Sequence, residues 1–395
     1  MKKIRHLVVG AVIIAMIYTA GFSIGKGRAA EDLDTKLETF LDVLGLIKTK
    51  YVEKDIDNSK LVYGAIKGAL ESLDDPYSRF LEPKAYSEMR VRLKGTYSGI
   101  GIYIGMKDKM LTVISPIPGT PADKEGLKAK DKIVEIEGKN TKDMALEEAV
   151  SMIRGKAGTK VKLGIMRPGF KEPKIFNVSR EKIEIKSTSF KMLEENIAYI
   201  KLNTFEKQSA PAEFKNALNA AKKKKARGLI IDLRGNGGGL LDNAIQIGSM
   251  FIKSGIIVMT VDREGSKEIK YSSGDVQWTS PTVVLVDESS ASASEILAGA
   301  LQDNKTATIV GTKSFGKASV QSVRVLSDDS AVLLTIAKYQ TPNGTDISKK
   351  GIQPDVFVAE PTEEAIALKS EPVKPEKTEG DTQLTKAIEV LKAKL

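Results

Sequence analysis

Three glycine- or serine-rich junctions hold the side chains that could do chemistry. The apolar run TVVLVD ends at Asp287 and is followed by SSASASEILAGALQD, whose helix formers begin at Glu295. Ser289, Ser290, Ser292 and Ser294 therefore fall where a strand gives way to a helix. A hydroxyl there sits beside unpaired N–H groups and the positive end of the helix dipole, which favours an alkoxide and a developing oxyanion. The same serines would serve as helix N-caps, and the segment alone does not separate the two roles. A second junction, DLRGNGGG from Asp232 to Gly239, follows the hydrophobic GLII and precedes a helical run. Its successive glycines let backbone N–H groups approach a phosphate or an oxyanion closely.

The third junction, ATIVGTKSFGKASVQSV, spells G-x-x-x-x-G-K from Gly311 to Lys317, the spacing of a phosphate loop. Ala318 stands where such a loop needs a Ser or Thr for Mg²⁺, and VQSVRVL continues as a strand where it needs a helix, so nucleotide binding is set aside. What remains is Lys317 in a glycine turn beside a hydrophobic strand, a setting in which a partly desolvated amine can act as a base.

Composition removes most alternatives. The chain has no cysteine and one histidine, His6, inside a basic leader. Cysteine nucleophiles, disulfide frameworks, thiolate or His-rich metal sites and a Ser-His-Asp triad are thereby excluded. An enzyme of acyl transfer built on this chain must use a base other than histidine. With 395 residues, 41% hydrophobic and 28% charged, the chain has the length and make-up of two or three globular domains.

The elements that must position these groups follow from the pattern. Apolar residues recur at helical spacing at Leu33, Leu37, Phe40, Leu41, Leu44 and Ile47, and a second amphipathic stretch runs from Lys60 to Leu73. Between Gly95 and Arg180, short β-like runs (YSGIGIYIG, MLTVISPI, DKIVEIEG, KVKLGIMRPG) alternate with glycine, interrupted by helical patterns at Pro121–Glu125 and Ala145–Ile153. This is the pattern of a small β-rich domain with two helices. From Ile183 onward strands alternate with helices, the sign of an α/β core. Residues 361–380, rich in Glu, Lys and Pro, read as a linker, and 381–395 as an amphipathic helix.

Together the three junctions resemble the carboxy-terminal processing peptidases, tail-specific serine proteases with a PDZ domain and a Ser-Lys dyad. The resemblance covers nearly the whole chain. Ser292-Ala293-Ser294-Glu295, Asp303 eleven residues after the first serine, and Phe315-Gly316-Lys317 twenty-five residues after it carry the family spacings. It thus selects Ser292 as nucleophile, Lys317 as base and Gln321 as the glutamine that orients the amine. Asp232–Gly239 matches D-L-R-x-N-x-G-G, implying an oxyanion hole from Ala293 and either Gly237 or Gly238. Asp75-Pro76-Tyr77-Ser78 with Phe80-Leu81 matches D-P-Y-S-x-F-L; Tyr339, Thr341-Pro342, Gly344, Gly351-Ile352 and Pro354-Asp355 match the family's closing segment. Lys130-Asp131 departs from the usual Gly-Asp.

The resemblance implies a multidomain α+β chain: a signal-anchor (1–30), a helical module (31–94), a PDZ domain (95–182) and an α/β protease core of the crotonase-like, Clp protease-like type (183–360), followed by the linker and the C-terminal helix. Gly99, Ile100, Gly101 and Ile102 would bind a substrate's C-terminal carboxylate, with an apolar last residue preferred. Arg154, the family's I-R-G arginine, would report PDZ position to the core, although a surface arginine near a helix C-terminus fits the position equally. No cofactor or metal is expected. An inactive PDZ scaffold is the competing reading, one that would be expected to have lost Ser292, Lys317 and Gln321.

Leader and charge bound the setting. MKKIRH followed by 18 apolar residues, Leu7–Ile24, is a positive flank and a span-length segment, read as a membrane anchor rather than a cleaved signal. The body is then expected outside the cytoplasm, in a bacterial envelope or periplasm. Of the net charge of +10, five come from Lys2, Lys3, Arg5, Lys26 and Arg28. The run Lys222–Lys225 ends a helical pattern, where lysines complement the dipole, so nucleic acid is not expected as a partner. Protein substrates, an adaptor and a homodimer formed through the amphipathic terminal segments are the expected partners.

Overall fold

The computed structural model describes residues 28–94, 96–107, 110–184, 186–359 and 381–395. The apolar segment Leu7–Ile24 and the 361–380 linker lie outside them. Among the described residues no helix is long and apolar enough to cross a membrane. The chain divides into two compact units, residues 1–66 and 67–395. In the first, α1 (Arg28–Lys50) carries the periodic apolar positions, and Leu33, Leu37, Phe40 and Leu41 remain exposed. Helix α2 (Asn58–Glu71) starts two residues before the periodicity because Asp57 caps it, its Oδ1 accepting the N–H groups of Ser59 (2.8 Å) and Lys60 (3.3 Å).

The second unit opens with β1 (Arg79–Leu81) and α3 (Pro83–Lys94), where Pro83 supplies the pre-set φ of a first helical residue. The β-rich region then comprises β2 (Thr96–Gly99), β3 (Ile102–Lys107), β4 (Met110–Pro116), α4 (Pro121–Lys124), β5 (Lys132–Ile136), β6 (Lys139–Asn140), α5 (Leu146–Ile153), β7 (Lys160–Met166), β8 (Lys174–Ser179) and β9 (Glu181–Glu184). Strands β3-β4-β5-β7-β8 make an antiparallel sheet with β6 on β5, and β2 pairs with β9, so the chain enters and leaves this region through one ribbon. Its core gathers Ile100, Val113, Ile133, Leu163 and Val178 under the two helices. Lys130 adopts φ +72°, which explains why glycine is usual there; the neighbouring Asp131 is buried and gripped by Arg167 Nε (2.5 Å) and Nη2 (2.6 Å).

The remaining elements are β10 (Thr188–Met192), β11 (Ile197–Leu202), α6 (Ala210–Lys223), β12 (Gly228–Asp232), α7 (Leu241–Ser249), β13 (Ile256–Asp262), β14 (Lys267–Tyr271), β15 (Thr282–Val286), α8 (Ala293–Asp303), β16 (Thr308–Gly311), β17 (Ser319–Val325), β18 (Ala331–Gln340), β19 (Val356–Phe357) and α9 (Thr382–Lys392). A six-stranded sheet runs β10-β11-β12-β15-β16-β19 and is parallel from β11 onward. Every residue of β12 and β15 is buried, the reason both read as unbroken apolar runs. Helices α6, α7 and α8 cover one face through Phe214, Ile247 and Leu297; α9 covers the other through Leu384, Ala387 and Leu391. A second sheet, β1-β18-β13-β14 with β17 on β18, holds the strand after Lys317. Because β12 and β15 are parallel neighbours, with Asp232 opposite Leu285, the glycine and serine junctions emerge side by side at the carboxyl ends of the sheet. Lys222 to Lys225 are solvent-exposed, as expected for a helix end.

The apolar face of α9 is what closes the back of this sheet. Leu384→Ala should cost about 2–5 kcal/mol, a buried leucine leaving a cavity, and should lower the urea midpoint of the core. An unchanged midpoint would show that α9 is not part of the stable core.

Candidate active site

The structure separates the four serines that sequence left together. Ser290 is buried, donating to Leu233 O (2.9 Å) and accepting from Asp287 N–H (3.0 Å). Ser294 is buried and donates to Asn236 O (2.8 Å). Both hold the serine junction to the glycine junction. Ser289 is exposed and its N–H bonds Asp287 Oδ1 (3.0 Å). Ser292 alone of the four lines a cleft of about 490 Å³, together with Lys317, Gln321, Gly237 and Gly238. It sits just before α8 with φ +55° and ψ −116°, a strained conformation for a side chain with a Cβ.

One carboxylate holds that strain. Glu295 is 1% exposed, and its two oxygens accept five hydrogen bonds. Oε1 takes Ser314 Oγ and Gly316 N–H, both at 2.6 Å. Oε2 takes the N–H groups of Ser292 and Lys317, both at 2.9 Å, and Tyr339 OH at 3.2 Å. The serine and lysine junctions are thus tied to one anion at the first turn of α8, where the dipole favours negative charge. Tyr339, 2% exposed, has one hydroxyl proton, which is shared among Glu295 Oε2, Lys317 O and Ser292 O (3.2 Å). Burial, then the Glu295 charge, pushes its phenol well above the usual value, so it stays a donor. Asp303, at the far end of α8, accepts Asn343 N–H (2.8 Å) in the turn after β18.

The lysine turn is gripped from behind. Ser314 N–H donates to Ile352 O (3.1 Å), Ile352 N–H to Ser314 Oγ (2.6 Å) and Lys349 N–H to Gly316 O (2.9 Å). Gly316 has φ +87°, and a Cβ there would lie 2.9 Å from the backbone of Lys349 and Gly351. The Nζ of Lys317 lies 4.5 Å from the ring centroid of Tyr77 and, among the described residues, makes no hydrogen bond or ion pair. Burial first, then the positive charge of Arg79, holds the amine below the usual lysine value, against the pull of Asp75 and Glu295. Gln321 shares the cleft, but its Nε2 donates to Ser319 Oγ (2.9 Å) rather than meeting the amine.

In the glycine junction, Gly238 takes φ +97° and comes so close to the serine turn that a Cβ would stand 2.6 Å from Ala291 O and 2.8 Å from Ala293 N. Its own N–H is already spent on Asn236 Oδ1 (2.9 Å), whereas Gly237 makes no such bond among the described residues. Asn236 is itself anchored through Nδ2 to Leu202 O (2.7 Å). Arg234 fixes the turn to the back of the sheet: it is bidentate to Asp232 (3.0 and 2.7 Å) and to Asp381 (both 2.8 Å), the cap of α9. Burial would lower the Asp381-bound guanidinium's pKa, but the two carboxylates outweigh it and raise it further.

At the other candidate position, Gly99 ends β2, Ile100 is buried, Gly101 has φ +79° and Ile102 begins β3. Ile100 O accepts Ala122 N–H and Gly101 O accepts Ile117 N–H, both at 2.9 Å. The trans peptides therefore turn the N–H groups of Gly101 and Ile102 the opposite way. Among the described residues β3 is an edge strand. Arg154 caps α5 on its carboxyl side and is half-buried; the residue whose guanidinium bonds the helix-end carbonyls is Arg180, to Ile153 O (2.9 Å) and Met152 O (2.8 Å).

Comparisons with known proteins give the family and its domains. Peptidase family S41 matches residues 196–358, the PDZ domain residues 89–166, and the activating protease CtpB N-terminal domain residues 22–85. The chain is 38% identical over 347 residues to carboxy-terminal processing protease CtpA of Bacillus subtilis, covering 88% of this chain and 74% of that one. It is 39% identical over 322 residues to the carboxyl-terminal-processing protease of Synechocystis sp., covering 80% and 75%. Among solved structures it is similar to the photosystem II D1 C-terminal processing protease, at 32% identity and TM-score 0.51, covering 81% of this chain and 92% of that one. Fold and matches define a peptidase with a PDZ domain. The chain belongs to peptidase family S41, as a carboxy-terminal processing protease.

Glu295→Gln removes the charge and turns an amide NH₂ toward groups that themselves donate. It should cost about 1–3 kcal/mol, the desolvation penalty of a buried donor left unpaired, read as a lower urea midpoint. A midpoint equal to the wild type would show that the five bonds carry no stability.

Proposed function

We propose that the chain is a serine endopeptidase using a Ser-Lys dyad to cut proteins near their carboxyl termini. The observation that carries this is the convergence of Ser292, Lys317 and the glycine turn on one cleft, with the lysine partly buried and held below its usual pKa. Ser292 Oγ attacks the scissile carbonyl while neutral Lys317 takes its proton, and the resulting ammonium protonates the leaving amine. Water then releases the acyl group from Ser292 by the reverse transfer. The N–H of Ala293, at the start of α8, and that of Gly237 face the developing oxyanion; the engagement of Gly238 by Asn236 favours Gly237 of the two. Gln321 receives the neutral amine as it turns toward Ser292.

A substrate tail adds to the free edge of β3, with its carboxylate on the outward N–H groups between Gly99 and Ile102. Arg154, at the end of α5 and one residue from the Gly155 N–H that reaches Ser98 O (3.5 Å), relays tail occupancy toward the ribbon leading to the core. We assign the core to the crotonase-like, Clp protease-like type. The 18-residue apolar segment after a basic flank supports a membrane anchor with the body outside the cytoplasm. The exposed apolar positions of α1 support a homodimer or an adaptor contact.

The test is cleavage of an unstructured protein ending in Ala-Ala. Ser292→Ala, Lys317→Met and Lys317→Arg should each abolish turnover while leaving the protein folded, since guanidinium stays charged and Met mimics only the neutral chain. Amidating the substrate tail should slow cleavage. Because the base works only when neutral, activity should rise with pH through one apparent pKa below that of free lysine, about 10.4. His6→Gln should leave that limb in place. Cleavage by Lys317→Met, or a flat pH profile, would defeat the dyad.

A further inference from the structure

The D-P-Y-S turn has no part in the chemistry above, yet it is built rigidly against the lysine. Asp75 Oδ1 accepts Tyr77 N–H (3.1 Å) and its Oδ2 accepts Ser78 Oγ (2.6 Å), while Ser78 Oγ accepts Thr335 N–H of β18 (3.0 Å). Strand β1 then continues the pairing, with Arg79 opposite Leu333 and Phe80 opposite Val332. These bonds fix a half-buried ring face 4.5 Å from the Lys317 amine.

We propose that Tyr77 is a positioning residue whose ring face receives the ammonium formed when Lys317 takes the Ser292 proton, an inference that rests on Lys317 being the base. A cleft that desolvates the neutral amine penalises its charged form, and that charged form must exist in the intermediate. An aromatic face attracts a cation most strongly where water is excluded. The charges facing the amine do not supply this on their own. Arg79 of β1 opposes the ammonium. Asp75 and Glu295 favour it, but Asp75 is bonded within its turn and Glu295 by five donors. Gln321 and Ser319 of β17 are neutral and bonded to each other, and the Tyr339 phenol of β18 bonds the lysine's carbonyl. Burial, then Asp75 and Glu295, raise the Tyr77 phenol above its usual value, so the ring stays neutral through the lysine limb.

The test places phenylalanine and then mono-, tri- and pentafluorophenylalanine at position 77 of the full chain, keeping ring shape while weakening the face's attraction for a cation. Tyr77→Phe should retain activity and its pH limb. Fluorination should lower kcat stepwise, reaching about five- to thirtyfold for the pentafluoro ring. It should also move the limb in kcat/KM to lower pH, because a less stabilised ammonium loses its proton sooner, with KM for the tail substrate unchanged. Tyr77→Leu, equally apolar but without a π face, should behave as the pentafluoro variant. A series flat in both kcat and limb overturns the proposal, as does a limb moving to higher pH, which would make the ring only a barrier to water. Cleavage by Lys317→Met would instead defeat the base assignment; a Lys317-dependent enzyme with a flat series defeats the role of Tyr77 alone.

Discussion

The Glu295 carboxylate is the constraint on which the site depends. A buried anion without partners is prohibitively costly, so its five donors are as much required by it as supported by it. Two of those donors, the N–H groups of Ser292 and Lys317, belong to the residues proposed as nucleophile and base, which leaves both backbones in one place relative to each other. The strained φ of Ser292 persists because the same oxygen binds its N–H and the Tyr339 hydroxyl. The side chains of this proposed dyad carry few bonds, so they are free to move protons while their backbones are not free to move.

A second network does the corresponding work for the glycine turn. Tyr199 OH donates to Asp232 Oδ2 (2.6 Å), Asp232 pairs with Arg234, and Arg234 pairs with Asp381 at the start of α9. The chain of bonds runs from the middle of the sheet to the C-terminal helix, passing one residue from Gly235 and the turn beyond. The two networks meet where Ser290 and Ser294 bond the carbonyls of Leu233 and Asn236, so the serine and glycine junctions are fastened to each other as well as to their own supports.

Much of this was legible in the sequence, and the limits have physical causes. The parallel core strands are readable because burial on both faces makes them uniformly apolar, whereas α2 begins two residues before the amphipathic stretch because its start is set by the Asp57 cap rather than by periodicity. The residue types alone left Ser289, Ser290, Ser292 and Ser294 equivalent; spacing within a family pattern separated Ser292, and structure gives the reason, since Ser290 and Ser294 are consumed by carbonyls more than fifty residues away. Glu295 was visible as a motif letter, but its role was not, because four of its five donors come from other elements or turns distant along the chain, or from a backbone geometry that no pattern encodes. The same holds for Tyr77, whose ring reaches Lys317 only after β1 pairs with β18. Conversely, the family resemblance implies a Gln321–Lys317 bond, whereas the amide bonds Ser319 and the amine rests on an aromatic face.

The central claim, that one carboxylate aligns nucleophile and base, is most directly tested by the rate at which a small fluorophosphonate labels Ser292 in wild-type and Glu295→Gln protein, each confirmed folded, with mass spectrometry locating the label. Labelling needs only the Ser292 hydroxyl, its base and the oxyanion N–H groups, and no bound tail. The expected result is Ser292 labelled in the wild type and slowed by at least about tenfold in Glu295→Gln, the consequence of losing roughly 1.4 kcal/mol of alignment, with binding of a tail peptide unchanged. Labelling of Ser292 at the wild-type rate in folded Glu295→Gln would contradict the account.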